Sequence, residues 1–389
     1  MLDCVPRNAA FLLLVASIAC SSRSERVGEN NQRGDDLVAD EPPVVSPSGE
    51  RYPSSRPAVR AGHLTPAPWL KGARRIAVGT LEGKTVIAVG AVRALRLHRL
   101  DGSLVRRVPA AGSSQVLRFA DVDGDGVPEL IGGWGIGVET REAATELKVL
   151  DGAKLEHVHE IEVGKTTRHQ VVDVAVDRDG DVVVAHFVSK YQVSLSKLDM
   201  KGRKLQPMGR VRMLSGLDVV ATANDEQALA LARIYGDALG EPGGLYLFND
   251  EGKSPIPSVR GARAVRWSRK DQEMVIADGW HREYAAKAQA LITRLSPAND
   301  GRWTRKVLAN VAGRHGFDRL VVGDIDGDGK TDVVAAGNGA AVTVPMAGGE
   351  VLELGGGEAT DAALADVDGD GQAEVLIVGS EPVIWRRTR

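Results

Sequence analysis

The chain has 389 residues, a formal net charge of −3, 43% hydrophobic and 26% charged residues, and two cysteines. That balance leaves no electrostatic footprint for nucleic acid, and no basic or aromatic-stacking motif accompanies it. The length would ordinarily divide into two or three domains, yet 45 glycines and an apolar content dominated by Val, Ala and Leu fit many short, tightly packed strands.

In chain order, the first element is an export signal. MLDCVPRN is a weakly positive n-region, and AAFLLLVA is an apolar core too short to span a bilayer. SIAC then places Cys20 where a bacterial lipoprotein signal carries its acylated cysteine. Ser17 stands where leucine is usual, and Ser17-Ile18-Ala19 also satisfies ordinary signal peptidase, so both lipidation at Cys20 and simple secretion are read from residues 1–20. The expected location is accordingly an outer-membrane or periplasm-facing lipoprotein, or otherwise a secreted protein. Cys4 leaves with the signal, which removes any internal disulfide from the mature chain.

Residues 21–60 are polar, proline-containing and without periodicity, the composition of a disordered tether. A flexible segment of that length spans on the order of 35 Å. It contains Arg33-Gly34-Asp35, a tripeptide short enough to arise by chance.

From residue 61 to 389 the sequence is periodic. Apolar strands before a turn start near Ile76, Leu117, Val171, Leu217, Ala264, Leu320 and Ala362, at intervals of 41 to 56 residues. Each unit reads as about four short strands, the signature of a β-propeller. The last unit is short by a strand, and the segment RPAVRAGHLTPAPWL is the candidate to complete it from the N-terminal side, since an open sheet edge invites association.

Three turns carry one aspartate-rich sentence: DVDGDGVPE from Asp121, DIDGDGKTD from Asp324 and DVDGDGQAE from Asp366. Calcium takes six to eight oxygen ligands in flexible geometry. Asp121, Asp123, Asp125, the Val127 carbonyl and Glu129 supply such a set at positions 1, 3, 5, 7 and 9. Asp324, Asp326, Asp328, the Lys330 carbonyl and Asp332 repeat it, as do Asp366, Asp368, Asp370, the Gln372 carbonyl and Glu374. About three Ca²⁺ sites are expected. An EF-hand loop would need a bidentate Glu at position 12, where Gly132, Ala335 and Ile377 stand instead. The remaining turns, LEGK, DRDGD, NDEQ and RKDQ, lack the full set; DRDGD keeps Asp177, Asp179 and Asp181 but has Ala185 at position 9.

These repeated DxDGDGxxD/E loops, each leading into an apolar strand, resemble the FG-GAP (VCBS-type) repeat family, whose members include integrin α-subunit heads and secreted bacterial proteins. The resemblance covers roughly residues 70–389, and the missing Phe-Gly…Gly-Ala-Pro signature puts the chain nearer the bacterial variety. It implies an all-β, seven-bladed β-propeller stiffened by calcium in its hairpin loops, and the count from periodicity agrees.

Opposite the calcium hairpins, the loops after the second strands are the candidate ligand face. Trp134, Tyr235 and Trp280 recur there at equivalent positions, with Arg233, His281 and Arg282 beside them. Rigid aromatics with arginine are the composition of contact surfaces; the alternative is that the aromatics cap their own blades. Two function classes follow. One is a binding or scaffolding propeller that engages protein or glycan. The other is a polysaccharide lyase or hydrolase on the same scaffold, using Arg282 with His281 or Tyr284. No nucleophile elbow, HExxH or nucleotide loop is present, so no catalytic residue is named and binding is the preferred reading.

Overall fold

The computed structural model describes residues 58–59, 62–81, 83–135, 145–150, 157–164, 171–177, 179–188, 192–199, 204–222, 226–235, 242–249, 252–256, 259, 261–278, 290–298, 300–311, 316–337 and 339–387. The chain divides into two units, Met1–Pro43 and Val44–Arg389. The signal, the Cys20 site and residues 21–57 of the tether lie outside the described residues. Apart from one short 3₁₀ turn at Pro68–Leu70, the regular structure described is strand.

The strands sort radially by composition. Second strands such as Val182–Phe187, Asp332–Ala336 and Glu374–Gly379 are near-continuous apolar runs and are buried on both faces, because sheets pack against them from either side. Outer strands such as Trp303–Asn310 alternate between exposed and part-buried positions over their first half. The apolar faces mesh between adjacent sheets: Ala264, Val275 and Ile292 pack with Phe317, Leu320 and Val333 of the next sheet. Ile76, Ile87 and Val89 pack with Ala363, Leu376 and Val378, so the first and last sheets of the chain share one core. That contact closes the ring.

Hydrogen bonding groups three sheets of four strands: Val171–Val176 through Lys204–Arg212, Leu214–Ala221 through Gly252–Ile256, and Ala262–Ser268 through Trp303–Asn310. A six-stranded sheet runs from Ala73–Leu81 to His157–Gly164. An eight-stranded sheet has Arg319–Gly323 at one end of its path and Gly62–Pro66 at the other, with Ala58–Val59 paired off the path. The strand Leu352–Ala365 runs through the middle of this sheet, pairing with Gly339–Pro345 and then with Glu374–Gly379. With eight strands against four in its neighbours, it counts as two sheets of the ring, and the propeller has six.

This corrects the expected seven blades. The sequence units starting at Ile76 and Leu117 fall within one six-stranded sheet, through which the strand Leu104–Ala120 runs. It pairs with Lys84–His98 through its first part and with Glu129–Gly135 through its second. A count of sequence periods sees two units there; the hydrogen bonds see one six-stranded sheet.

The last sheet is completed from the N-terminal side. Gly62–Pro66 pairs antiparallel with Val383–Arg387, with Leu64 opposite Trp385, inside the segment the sequence offered for this purpose. Ala58–Val59 adds a short parallel pairing to Leu352–Ala365.

Candidate functional site

The three aspartate loops fold alike. Asp121 accepts backbone hydrogen bonds from Gly124 at 2.8 Å and Gly126 at 3.0 Å, while Glu129 reaches back to accept the Val122 amide at 2.9 Å. Asp324 accepts from Gly327 and Gly329 at 2.8 and 2.9 Å, and Asp332 from Ile325 at 3.1 Å. Asp366 accepts from Gly369 and Gly371 at 2.8 and 3.0 Å, and Glu374 from Val367 at 2.6 Å. Gly124 and Gly126 take φ of 79° and 85°, a left-handed backbone that a side chain would strain. The wrap brings one oxygen from each of Asp121, Asp123 and Glu129 within 4.8 Å of one another. The trios Asp324, Asp326, Asp332 and Asp366, Asp368, Glu374 converge in the same way.

Position 5 behaves differently. Asp125, Asp328 and Asp370 accept the amides of Val127, Lys330 and Gln372 at 2.7, 2.8 and 2.9 Å and stand outside the converging trios. The residues of position 7, Val127, Lys330 and Gln372, thus anchor the loop by their N–H groups.

Each trio buries its last carboxylate, and the cost shows in its proton affinity. Burial, then the neighbouring aspartates, push Asp332 up to about 6 against the pull of the Ile325 amide. Glu129 and Glu374 are raised for the same leading reason, burial. Packed carboxylates that resist ionisation are relieved by a cation, and an all-oxygen set suits a hard one. The residues present therefore fit calcium.

The loops differ in their surroundings. Arg387 contacts Asp326, Arg386 lies 3.3 Å from Asp368 and 3.5 Å from Glu374, and Lys330 lies 2.9 Å from Asp328. Among the described residues, no Lys or Arg pairs with the Asp121 loop. In the DRDGD turn, Asp177 binds the amides of Asp179 and Asp181 at 2.9 and 2.8 Å, and the Lys197 ammonium contacts Asp181. That ammonium supplies a positive charge to the turn, whereas Ala185 lies buried within the strand opposite Leu195.

The candidate ligand face is less coherent. Trp134 is fully buried, packed with Leu97, Leu117 and Leu130, so its ring caps its own sheet. Arg233 is likewise buried, donating to the Arg212 carbonyl at 2.7 Å with its guanidinium 5.2 Å from the Tyr246 ring. Tyr235 ends a strand, paired with Pro242. Trp280, His281, Arg282 and Tyr284 lie outside the described residues.

Sequence reasoning missed the centre of the ring. The innermost strands converge there, and a cavity is lined by Arg75, Arg118, Asp173, Arg266, Arg319 and Asp361. Arg118 pairs with Asp218 at 3.0 Å and lies 3.9 Å from Asp173, which lies 3.7 Å from Arg266. Asp173 also accepts the Val174 and Leu217 amides at 3.0 and 3.1 Å. Its carboxyl is held below the usual range although burial, the largest influence, opposes this; Arg266 and then Arg118 overcome it. The signal was present in the sequence: each strand start read from the period has a charged residue within two positions of it, as in Leu117-Arg118 and Leu217-Asp218.

No family model and no curated protein matches this chain. Solved structures do. A chain of the mitotic checkpoint complex matches with a TM-score of 0.53 and 13% identity, over 87% of this chain and 97% of that one. The β-propeller domain of Cps50 (Swd1) from Myceliophteria thermophila matches with a TM-score of 0.53 and 14% identity, over 84% and 100%. BBS1N, in its complex with ARL6DN, matches with a TM-score of 0.52 and 10% identity, over 86% and 98%. The chain has the β-propeller fold.

Proposed function

We propose that this protein is a calcium-stabilised, extracytoplasmic binding propeller of the FG-GAP/VCBS type, which holds a protein partner. The convergence of positions 1, 3 and 9 in all three aspartate loops carries the reading. Three identical wraps at hairpin tips, each with a carboxylate buried at a cost, form a repeated clamp; a turn that only reversed the chain would need no buried acid. Calcium at such sites supplies positive charge and ties loop to strand. Extracellular calcium modules bind at about 10⁻⁴ to 10⁻³ M, which fits the export read from residues 1–20 and an anchor at Cys20. Two similar propellers, the mitotic checkpoint chain and BBS1N, sit in protein assemblies, and a scaffold role extends that use to this chain.

The deciding experiment is thermal denaturation against calcium for the wild type and for the triple variant Asp123→Ala, Asp326→Ala, Asp368→Ala. Calcium raises the melting temperature of the wild type and leaves the triple variant unmoved. An equal gain in both would sink the metal assignment. Membrane fractionation of Cys20→Ser reads the anchor: release into the soluble fraction supports it, and unchanged sedimentation overturns it.

A further inference from the structure

The arginines around the axis do not all have carboxylate partners. Arg118 and Arg266 face Asp173 and Asp218, and Arg263 is bound by Asp318. Arg75 and Arg319 are different. Arg75 donates to the carbonyls of Gln115 at 2.5 Å, Arg74 at 2.7 Å and Thr360 at 3.2 Å. Arg319 donates to the same Gln115 carbonyl at 2.9 Å and to that of Asp318 at 3.1 Å. Two guanidiniums share one neutral oxygen, and neither forms an ion pair among the described residues. The nearby Asp361 spends its oxygens on the Ile76 and Ala362 amides at 3.2 and 3.0 Å.

Both arginines line a cavity of about 600 Å³ at the mouth of the channel, together with Arg74, Ser114, Ser215 and Thr360. Ser215 is satisfied by the Ala232 and Ala262 carbonyls. Ser114, 1% exposed, has a hydroxyl with no partner. Burial, followed by the charge of Arg319, pulls Arg75 down to about 10, as expected for a cation short of a counter-charge.

We propose that the channel mouth is a seat for one small oxyanion, a carboxylate, phosphate or sulfate group, gripped between Arg75 and Arg319. Guanidiniums present N–H forks that match oxyanions; of the carboxylates that line the same cavity, Asp318 is bound by Arg263 and Glu358 forms no ion pair with Arg75 or Arg319 among the described residues. The site is independent of the calcium loops and of any protein partner.

Isothermal titration of the full chain with sodium phosphate, sulfate and acetate, against chloride at matched ionic strength, tests it. At least one oxyanion binds saturably at a single site, and the ranking among the three identifies the group. Arg75→Gln and Arg319→Gln each weaken binding tenfold or more, Arg319→Lys weakens it less, and Arg302→Gln, at an exposed surface pair, leaves it unchanged. If a Gln variant fails to fold by circular dichroism, the Lys variant decides. No saturable binding, binding equal to chloride, or unchanged affinity in the folded variants overturns the proposal.

Discussion

The hairpin tips and the channel both concentrate charge, and they handle it in opposite ways. At the tips, acids of one sign crowd together, held by backbone amides. Along the axis, arginines and aspartates come in short runs on successive inner strands, and Asp173 and Asp218 lie against Arg118 and Arg266 within the protein. A tip can leave its charge uncompensated because solvent and ions reach it. Along the channel wall several strands meet and desolvation raises the cost of every unpaired group, so Arg118 and Arg266 are paired there, while Arg75 and Arg319 are held by backbone carbonyls. The difference separates what a cation must supply from what the chain supplies for itself.

The largest effect should come from breaking the internal set. Asp173→Ala leaves Arg118 and Arg266 short of a counter-charge and the Leu217 amide without its acceptor, and should cost about 3 to 5 kcal/mol in urea denaturation. A loss below about 1 kcal/mol would mean that water already screens the channel and that the contrast with the tips is false.

Next is the closure. A methyl group at Gly62 would land on the Trp385 indole, so Gly62→Ala should destabilise by about 1 to 3 kcal/mol through overpacking. Differential scanning calorimetry reads it; an unchanged melting temperature would show that this pairing contributes nothing to the ring.

The tips are sharpened by pH. Asp332 has its folded pKa raised to about 6, so without metal its contribution to stability is fully present below its ordinary value, near 3.9. It is lost as pH rises through 6. Metal-free Asp332→Asn should therefore flatten the fall in stability between pH 4 and 6 that the wild type shows. In calcium the trend reverses for the wild type, because binding requires the carboxylate, and the calcium-dependent gain should shrink below pH 6. Matching pH profiles for Asp332→Asn and wild type would remove Asp332 from the site.

The smallest effect belongs to the turn that supplies its own cation. Lys197→Met removes the ammonium from Asp181, and at a half-exposed pair this should cost less than about 1 kcal/mol. If Lys197→Met gained a stabilisation by calcium that the wild-type turn lacks, the ammonium would be shown to occupy a latent metal position.

Much of this was legible in the sequence, for reasons the coordinates make plain. Aspartates at positions 1, 3 and 9 converge because a tight glycine wrap fixes where each side chain points, and that geometry is local. The all-β propeller was legible because buried second strands such as Glu374–Gly379 are apolar after their first residue. The sheet count was not: VRRVPAAGSSQVLRF reads as two strands with a loop between them, while its backbone runs on as one strand that pairs first with Lys84–His98 and then with Glu129–Gly135. Nor was the fate of Trp134, since a strand-end aromatic beside glycines looks the same whether it faces solvent or folds back over Gly132. The channel was missed because a single charged residue in an apolar strand is ordinary. It becomes informative only when the strands are laid around one axis.

Pairing of Gly62–Pro66 with Val383–Arg387 has a consequence for the order of events as the chain is made. The segment synthesised early must wait for one made more than three hundred residues later. Loop-closure entropy for such a contact is recovered only when the intervening sheets are already stacked. Until Val383–Arg387 has been made, the growing chain is an open arc with an unpaired edge.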